Sequence, residues 1–535
     1  MAQAVWARVA FNRIWCHWRL ESMAGVAEIL ARAPCAAWQR EWAALRSLVR
    51  LLGPIIASSM VNVMADRWTL AFVGHWDFKD RAHYDGMGIG KMYSNITGLS
   101  LGVSATIGLA TFCAQAHGSG RARELNPVFL RRALLLLTVL FAVALGFAAF
   151  CEPLLLLCGQ PPAVARASAH VAQLQALGLP FYWASNAMNV SLNSTKNTLP
   201  GFVMSTAGAA AQLAACALFT YPGLLGWGYL GAAAARALGG VVSLSAMCLC
   251  VKLRGLQELV WRRQPDAEPV LRPGAFQVYL KVSVPSALVV WSEWWAFEVL
   301  TVLVGLLPNA ELNLAAHGTM FNIIVVFYMC WTGTCTSVCA LVGNLLGAGK
   351  NEDIPPLLRA AFAFSSASSL LVALGYETGK AKLAAAFTED AAVRALICSS
   401  SWGVVLSVPL YAQLMTFYGA LRGANFQRPG ILGTFVGYWV VGLPLAGYLG
   451  CKLQWPTPLL GIWSGNVVAL LIASSWVCWA VFVRIDWQTV RRVTDGSASL
   501  LDRGCARGLA RAELGAAAAP TKSAQVAGDD AIQGA

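Results

Sequence analysis

Charge is what this chain has least of. Only 12% of its 535 residues are Asp, Glu, Lys or Arg, about half the share of a soluble protein. With 57% hydrophobic residues, that shortage excludes a soluble globular domain and predicts a polytopic membrane protein lodged in a lipid bilayer. Acids are scarcer than bases, 26 against 39. No basic stripe with interleaved aromatics accompanies the surplus, so no nucleic-acid partner is expected; Lys and Arg sit in short segments between apolar runs, as membrane topology requires. Histidine is scarce too: His17, His75, His83, His117, His170 and His317 are scattered near segment ends. They supply neither a nucleophile–base pair nor a metal constellation, which argues against an enzyme. Cysteine is plentiful, but most of the fifteen lie singly in apolar runs, and Cys330, Cys335 and Cys339 have no histidines at zinc-ligand spacing. They read as small packing residues, and no metal or other cofactor is expected.

Neither end has membrane character. Residues 1–46 are rich in Arg and Trp with no acid before Glu21, and they lack both the Ser enrichment of a transit peptide and the apolar core of a secretory signal. This predicts a cytosolic tail with a membrane-hugging face. Residues 488–535 turn to Ala, Gly and charged residues, too poor in apolar content to fold alone. Between them stand twelve apolar segments of spanning length, beginning near Leu48, Met87, Leu130, Val171, Leu199, Tyr229, Val282, Leu312, Leu357, Val393, Ile431 and Leu459. The ninth is interrupted by Glu377, Lys380 and Lys382, so it either ends near Tyr376 or lines water at its outer end. Loops on the side of the two tails carry about twice as many Lys and Arg as the others, which puts both termini in the cytoplasm. The membrane is expected to be the plasma membrane or that of a vacuole or other organelle.

The two halves repeat. AQAHGSGRARE, with Gly118, answers VGNLLGAGKNED, with Gly347, at an offset of 229. LNSTKNTLPG, ending at Gly201, mirrors LRGANFQRPG, ending at Gly430, at the same offset; Gly231 faces Gly461 at 230, and Pro54 pairs with Pro285 at 231. The expected fold is all-α, with twelve transmembrane helices in two pseudo-symmetric six-helix lobes. Its parts are a tail over 1–46, an N-lobe over 47–255, a cytosolic linker over 256–281, a C-lobe over 282–487 and a disordered tail over 488–535. Carriers built from such repeats bind near the midplane between the halves and work by alternating access. Channels more often assemble from several chains, so the duplication favours a carrier acting as a monomer.

One stretch is anomalous. Val282 to Leu307 is long enough to cross a bilayer and yet holds Glu293 and Glu298. An acid at mid-membrane costs about 2.5 to 3.5 kcal/mol on insertion scales, so it faces a bundle interior or a water-filled cavity and is a functional candidate. Five residues at about 100° each turn the two acids roughly 140° apart, which argues against one twin-carboxylate site. A carboxylate deprived of water is drawn to a proton or a cation, and Trp294 and Trp295 are placed to add cation–π contacts. Gln115, Asn186 and Asn189 are candidates to line the N-lobe cavity or to satisfy backbone groups near helix ends. Asp66 is a further intramembrane acid, with Arg67 beside it to neutralise it.

Several motifs carry a resemblance: LGPIIASSM with FVGH at Phe72 to His75, NITGLSLGVSATIGLATFCAQAHGSG from Asn95, SEWWAFE from Ser292, VGNLLGAGK from Val342, and GALRGANFQ followed by GYWVVGLPLAG from Gly437. From about Leu51 to Trp487 the chain resembles the multidrug and toxic compound extrusion family, its plant and other eukaryotic members most of all. The resemblance implies a V-shaped pair of six-helix lobes and an antiporter driven by H⁺ rather than Na⁺. Its implied cargo is organic cations, xenobiotics or metabolites, or citrate and other organic anions in some plant members. It also implies that Glu293 and Glu298, the two acids of that run, are the proton-coupling and cation-binding residues, with Glu293 the principal one. Asn322 stands where animal members tend to carry an acid and plant members an asparagine; an interhelical hydrogen bond is its expected role. Tyr411 occupies a position where many eukaryotic members have an acid, which predicts a less negative C-lobe cavity. Asp66 falls about three residues before the aspartate of bacterial members, whose place Thr69 takes, so a local ion pair and a second proton site both stay open. A flippase for lipid-linked oligosaccharides is the competing class. It would be expected to carry cavity arginines, and Arg67 is the one arginine read as lying mid-helix.

Overall fold

A computed structural model describes residues 36–76, 81–262, 269–455, 457–490 and 492. The tail residues 1–35 and 493–535 lie outside it, and with them most of what the sequence predicts for the two ends. Lipid offers no partner to backbone N–H and C=O groups, so long apolar runs close their hydrogen bonds internally as helices. Twelve long helices result: α1 (Ala36–Trp76), α2 (Ala82–Gly118), α3 (Ala122–Ala149), α4 (Pro162–Ser194), α5 (Leu199–Thr220), α6 (Gly228–Leu253), α7 (Pro273–Gly305), α8 (Ala310–Ala348), α9 (Ile354–Phe387), α10 (Ser401–Ala424), α11 (Gln427–Leu453) and α12 (Pro458–Arg484). No strand occurs among the described residues.

Eleven of these helices are long and apolar enough to cross a membrane on composition alone. The exception is α4, whose 33 residues reach about 50 Å but include Gln175, Asn186, Asn189 and Asn193. More than half of α4 is buried, so much of its polar surface faces neighbouring helices rather than lipid.

One expectation needs correcting. Val393 does not open the tenth span; it lies in a separate short helix, Ala391–Ser399, whose N-terminus is capped by the Asp390 carboxylate accepting from Ala392 N (2.8 Å) and Val393 N (3.3 Å). Such a cap fixes a helix start, and α10 begins afresh at Ser401. Of the two readings left open for the ninth helix, an end near Tyr376 is excluded. It runs to Phe387 because Lys380 pairs one turn back with Glu377 at 2.5 Å and donates to Ser401 Oγ at 2.9 Å, so the charges that interrupt the apolar run satisfy each other.

Each half lends the beginning of its first helix to the other. Leu48, Leu51, Leu52 and Ile55 of α1 pack into the core formed by α7 to α12, while Tyr279 and Val282 of α7 pack into the core formed by α2 to α6. Leu48 corresponds to Tyr279 and Leu51 to Val282 at the same offset that pairs Pro54 with Pro285, so the exchange obeys the sequence repeat. Between the halves α2 and α8 touch along the pseudo-symmetry axis. A methyl group on Gly118 would overlap the carbonyl of Asn344, and one on Gly347 would overlap the carbonyl of Gln115. The two contacts exchange under the sequence repeat that relates Gly118 to Gly347. Glycine is what lets backbones approach this closely in a membrane bundle.

Hydrogen bonds fasten the same contact. Gln115 Nε2 donates to the carbonyl of Gly423 at 3.0 Å and Thr111 Oγ1 to the carbonyl of Arg422 at 2.7 Å, tying α2 to the end of α10. Gln115 is thus fully buried between the halves, satisfying backbone near a helix end rather than lining a cavity of the first half. Its repeat mate Asn344 is one methylene shorter, and both its amide atoms are buried without a hydrogen-bond partner among the described residues. The fastening is therefore one-sided.

Candidate functional site

Glu293 sits on α7, beyond Pro285 by about two turns, and is 2% exposed. Of the chain's twelve tyrosines, four interact with it electrostatically: Tyr328 of α8, Tyr411 and Tyr418 of α10, and Tyr438 of α11. All four are buried. Tyr328 and Tyr411 stack face to face, with centroids 3.5 Å apart and planes within 5°. Phe297, one turn beyond Glu293, lies 6.2 Å from the ring of Tyr328 and 5.8 Å from that of Tyr438. Tyr418 is held by a hydroxyl–hydroxyl hydrogen bond to Thr434, whereas the Tyr438 hydroxyl is buried without a partner among the described residues.

The guanidinium of Arg422 and the hydroxyl of Tyr411 act most strongly on the Glu293 carboxylate. Arg422 is anchored by its Nη1, which donates to Cys335 Sγ at 3.1 Å, and its guanidinium lies 5.7 Å from the centre of the Tyr418 ring. One residue before Glu293, Ser292 accepts from Trp439 Nε1 at 2.8 Å, which sets α7 against α11. The outcome is a buried carboxylate among four tyrosines, with one hydroxyl and one guanidinium acting on it. A carboxylate deprived of water attracts a proton or an organic cation, and aromatic rings nearby are able to add cation–π attraction to the latter.

The Tyr328–Tyr411 stack can be tested directly. Tyr411→Ala is expected to cost about 3 to 5 kcal/mol, as large aromatic truncations do, whereas Tyr411→Phe keeps the ring and loses about 1 to 3 kcal/mol with the hydroxyl. Thermal melts of the solubilised protein should therefore rank wild type, Phe variant and Ala variant in falling order. A Phe variant that melts no higher than the Ala variant would show that the hydroxyl, not the stack, holds this cage.

The other predicted residues are not gathered here. Glu298 is half-buried, with no charged or hydrogen-bonding partner among the described residues, and it is not one of the groups acting on Glu293. Trp294 is half-buried; Trp295 is exposed and meets Trp291 edge-on at 5.5 Å. Asn322 is half-buried on α8 and makes no hydrogen bond among the described residues, so the interhelical bond expected of it is absent. Asn186 Nδ2 donates to Thr106 Oγ1 at 3.1 Å, at the break in α2 between Ala105 and Ile107. Asn189 presses its Oδ1, buried and unpartnered, against Gly201 of α5.

Asp66 is in an ion pair, but not with its neighbour Arg67. Its Oδ2 lies 3.4 Å from Lys91 Nζ and 3.4 Å from Arg236 Nη2, and Gln212 Nε2 donates to its Oδ1 at 3.3 Å. Arg236 also corrects the expectation that no arginine but Arg67 lies mid-helix, since it stands on α6 with its side chain 19% exposed. Sequence reading missed Tyr328, Tyr418, Tyr438, Arg422, Lys91 and Arg236. Their signal was there: a hydroxyl or cation inside a spanning run must find a partner.

Two six-helix bundles about a pseudo-twofold axis, each with polar groups sunk at membrane depth, define a multi-pass membrane transporter. The MatE family profile matches residues 54–218 and 285–447, two stretches that open on Pro54 and Pro285, themselves partners in the sequence repeat. The chain belongs to this family, and it is a transporter rather than an enzyme. It is 26% identical over 453 residues to multidrug and toxin extrusion protein 1 of Homo sapiens, covering 83% of this chain and 75% of that one. It is 23% identical over 439 residues to Protein DETOXIFICATION 7 of Arabidopsis thaliana, covering 80% and 83%. Among solved structures, the eukaryotic MATE transporter AtDTX14 superposes with a TM-score of 0.77 at 21% identity, over 85% of this chain and 98% of that one. A multidrug resistance MATE family transporter in an outward-facing conformation gives 0.72 at 17% identity, over 82% and 95%.

Proposed function

We propose that the protein is a secondary antiporter that exports organic cations, xenobiotics or metabolites in exchange for protons, by alternating access between its two halves. The observation that carries this reading is Glu293, one carboxylate in a cage of four tyrosines. Such a group is offered two occupants that exclude each other. Cation loaded from one side is released when a proton takes the carboxylate from the other, and that competition is antiport. With both termini in the cytoplasm, as the loop charges favour, the Gly118–Gly347 contact and the Gln115 fastening lie on the cytoplasmic side. The state described is then closed to the cytoplasm.

One helix joins the chemistry to the closure. Along α10, Tyr411, Tyr418 and Arg422 act on Glu293, while the carbonyls of Arg422 and Gly423 accept from Thr111 and Gln115 of the other half. A change of charge at Glu293 bears on the same helix that holds the halves together, a shared element of the kind coupling requires. The reading is tested by uptake of a fluorescent organic cation into inverted vesicles with an acidic interior. Proton antiport predicts accumulation that collapses with a protonophore and ignores a sodium gradient. Accumulation that follows sodium would replace the driving ion, and none with either ion would reject cation antiport.

A further inference from the structure

The half that lacks Glu293 has the opposite polarity. At the offset that pairs Pro54 with Pro285, Glu298 corresponds to Arg67 and Glu293 to Asn62, and the charged groups of α1 to α6 are mainly basic. Five of the six helices contribute: Asp66 from α1, Lys91 and Asn95 from α2, Gln175 from α4, Gln212 from α5 and Arg236 from α6. Lys91 and Arg236 share one oxygen of Asp66, each at 3.4 Å, longer than the roughly 2.7 to 2.9 Å of good charge-assisted contacts. Arg67 adds a third positive charge that acts on both Asp66 and Lys91. One carboxylate thus pairs with two cations, and a third charge lies near.

Hydrogen bonding shows the same imbalance. Arg236 donates to Gln175 Oε1 at 3.2 Å and to Asn95 Oδ1 at 3.3 Å, Lys91 Nζ donates to the backbone carbonyl of Asp66 at 3.4 Å, and Gln212 donates to Asp66 and to Thr69 Oγ1 at 2.9 Å. The Nε2 of that same Gln175, a residue only 6% exposed, has no acceptor among the described residues. Donors outnumber acceptors at membrane depth, where an unmatched donor or charge is costly. The group is also open: the Lys91, Arg236 and Asp66 side chains are 15%, 19% and 29% exposed. A network serving only to brace the bundle leaves the shared long contacts and the idle Gln175 amide unaccounted for.

We propose that Lys91 and Arg236 form a binding site for the carboxylate of an anionic or zwitterionic solute, with Gln175 as an added donor and Asp66 as the resident competitor for both cations. The two halves then recognise opposite charges, cation at Glu293 and carboxylate at Lys91 and Arg236. This goes beyond the antiport reading and does not depend on it, because the site is tested at equilibrium without a gradient.

The test uses the full chain in nanodiscs of neutral lipid, with radiolabelled benzoate as the probe and benzyltrimethylammonium as a cation of similar size. Benzoate is expected to bind saturably without competition from the cation. Arg236→Gln and Lys91→Gln should each weaken it about tenfold or more, the worth of one charge-assisted contact. Asp66→Asn should tighten it, because the competitor is neutralised while its shape is kept. If either cation variant fails to fold, Asp66→Asn decides alone, since a bracing network predicts a less stable protein and no gain in benzoate affinity. Undiminished binding in a well-folded Arg236→Gln would overturn the proposal. So would wild-type protein that ignores benzoate and retains only the anionic lipid of a doped nanodisc, which would give the cations to the bilayer.

Discussion

Glu293→Gln should abolish proton-driven uptake of an organic cation while leaving the protein folded and in the membrane. Glutamine keeps the size of the side chain and stays neutral inside the cage of Tyr328, Tyr411, Tyr418 and Tyr438. What disappears is the charge that draws proton and cation in turn. Truncating one partner of a buried, hydrogen-bonded charge contact costs about 2 to 5 kcal/mol of binding, which is roughly thirtyfold or more in affinity. The uptake rate at low substrate should fall accordingly, and Arg422, left facing a neutral amide, should keep its bond to Cys335. Glu298→Gln is the companion variant. Because Glu298 stands apart from the caged carboxylate, its loss should leave gradient-driven uptake largely intact. Uptake unaffected in Glu293→Gln but lost in Glu298→Gln would move the exchange to the half-buried acid and end the cage reading.

Gly347→Ala should slow transport about tenfold or more although it adds a single methyl group. That methyl points at the backbone carbonyl of Gln115, which no side-chain rotation can move aside. Overpacking of this kind costs about 1 to 3 kcal/mol, and here the cost falls on the closed contact between α2 and α8. The equilibrium between closed and open states shifts by the same free energy, roughly 5- to 150-fold in population. Gly118→Ala should behave alike, because its methyl meets Asn344 by the same pseudo-symmetry. Gly146→Ala is the control: it lies inside α3 and a methyl there meets nothing within 4 Å, so uptake should stay near wild type. Wild-type rates in both Gly347→Ala and Gly118→Ala would show that the cycle does not need this approach.

Membership of the transporter class, the twelve helices and the pairing of the halves were legible in the chain because each is a one-dimensional signal. Scarce charge and spanning runs force helices, since lipid leaves the backbone no other partner. The near-constant offset that relates Pro54 to Pro285 and Gly118 to Gly347 carries the pseudo-twofold axis directly. Glu293 declared itself for the same reason, as an acid in an apolar run must have a use or a partner. Local breaks were harder. Val393 misled and Tyr376 left two readings open because capping by Asp390 and pairing of Lys380 with Glu377 depend on which side chains meet a turn away.

Partnership was decided only by the folded chain. Asp66 has Arg67 next to it in sequence, yet it pairs with Lys91 on the following helix and with Arg236 on the last helix of its half. Adjacent residues on a helix point about 100° apart, whereas packed helices bring distant ones face to face. The tyrosine cage has the same origin, with members from α8, α10 and α11 around an acid from α7. No spacing along the chain encodes it. The sequence alone determined that each half must bury polar groups in a membrane; only tertiary packing decided that one buries an acid among aromatic rings and the other a cluster of cations around a single carboxylate.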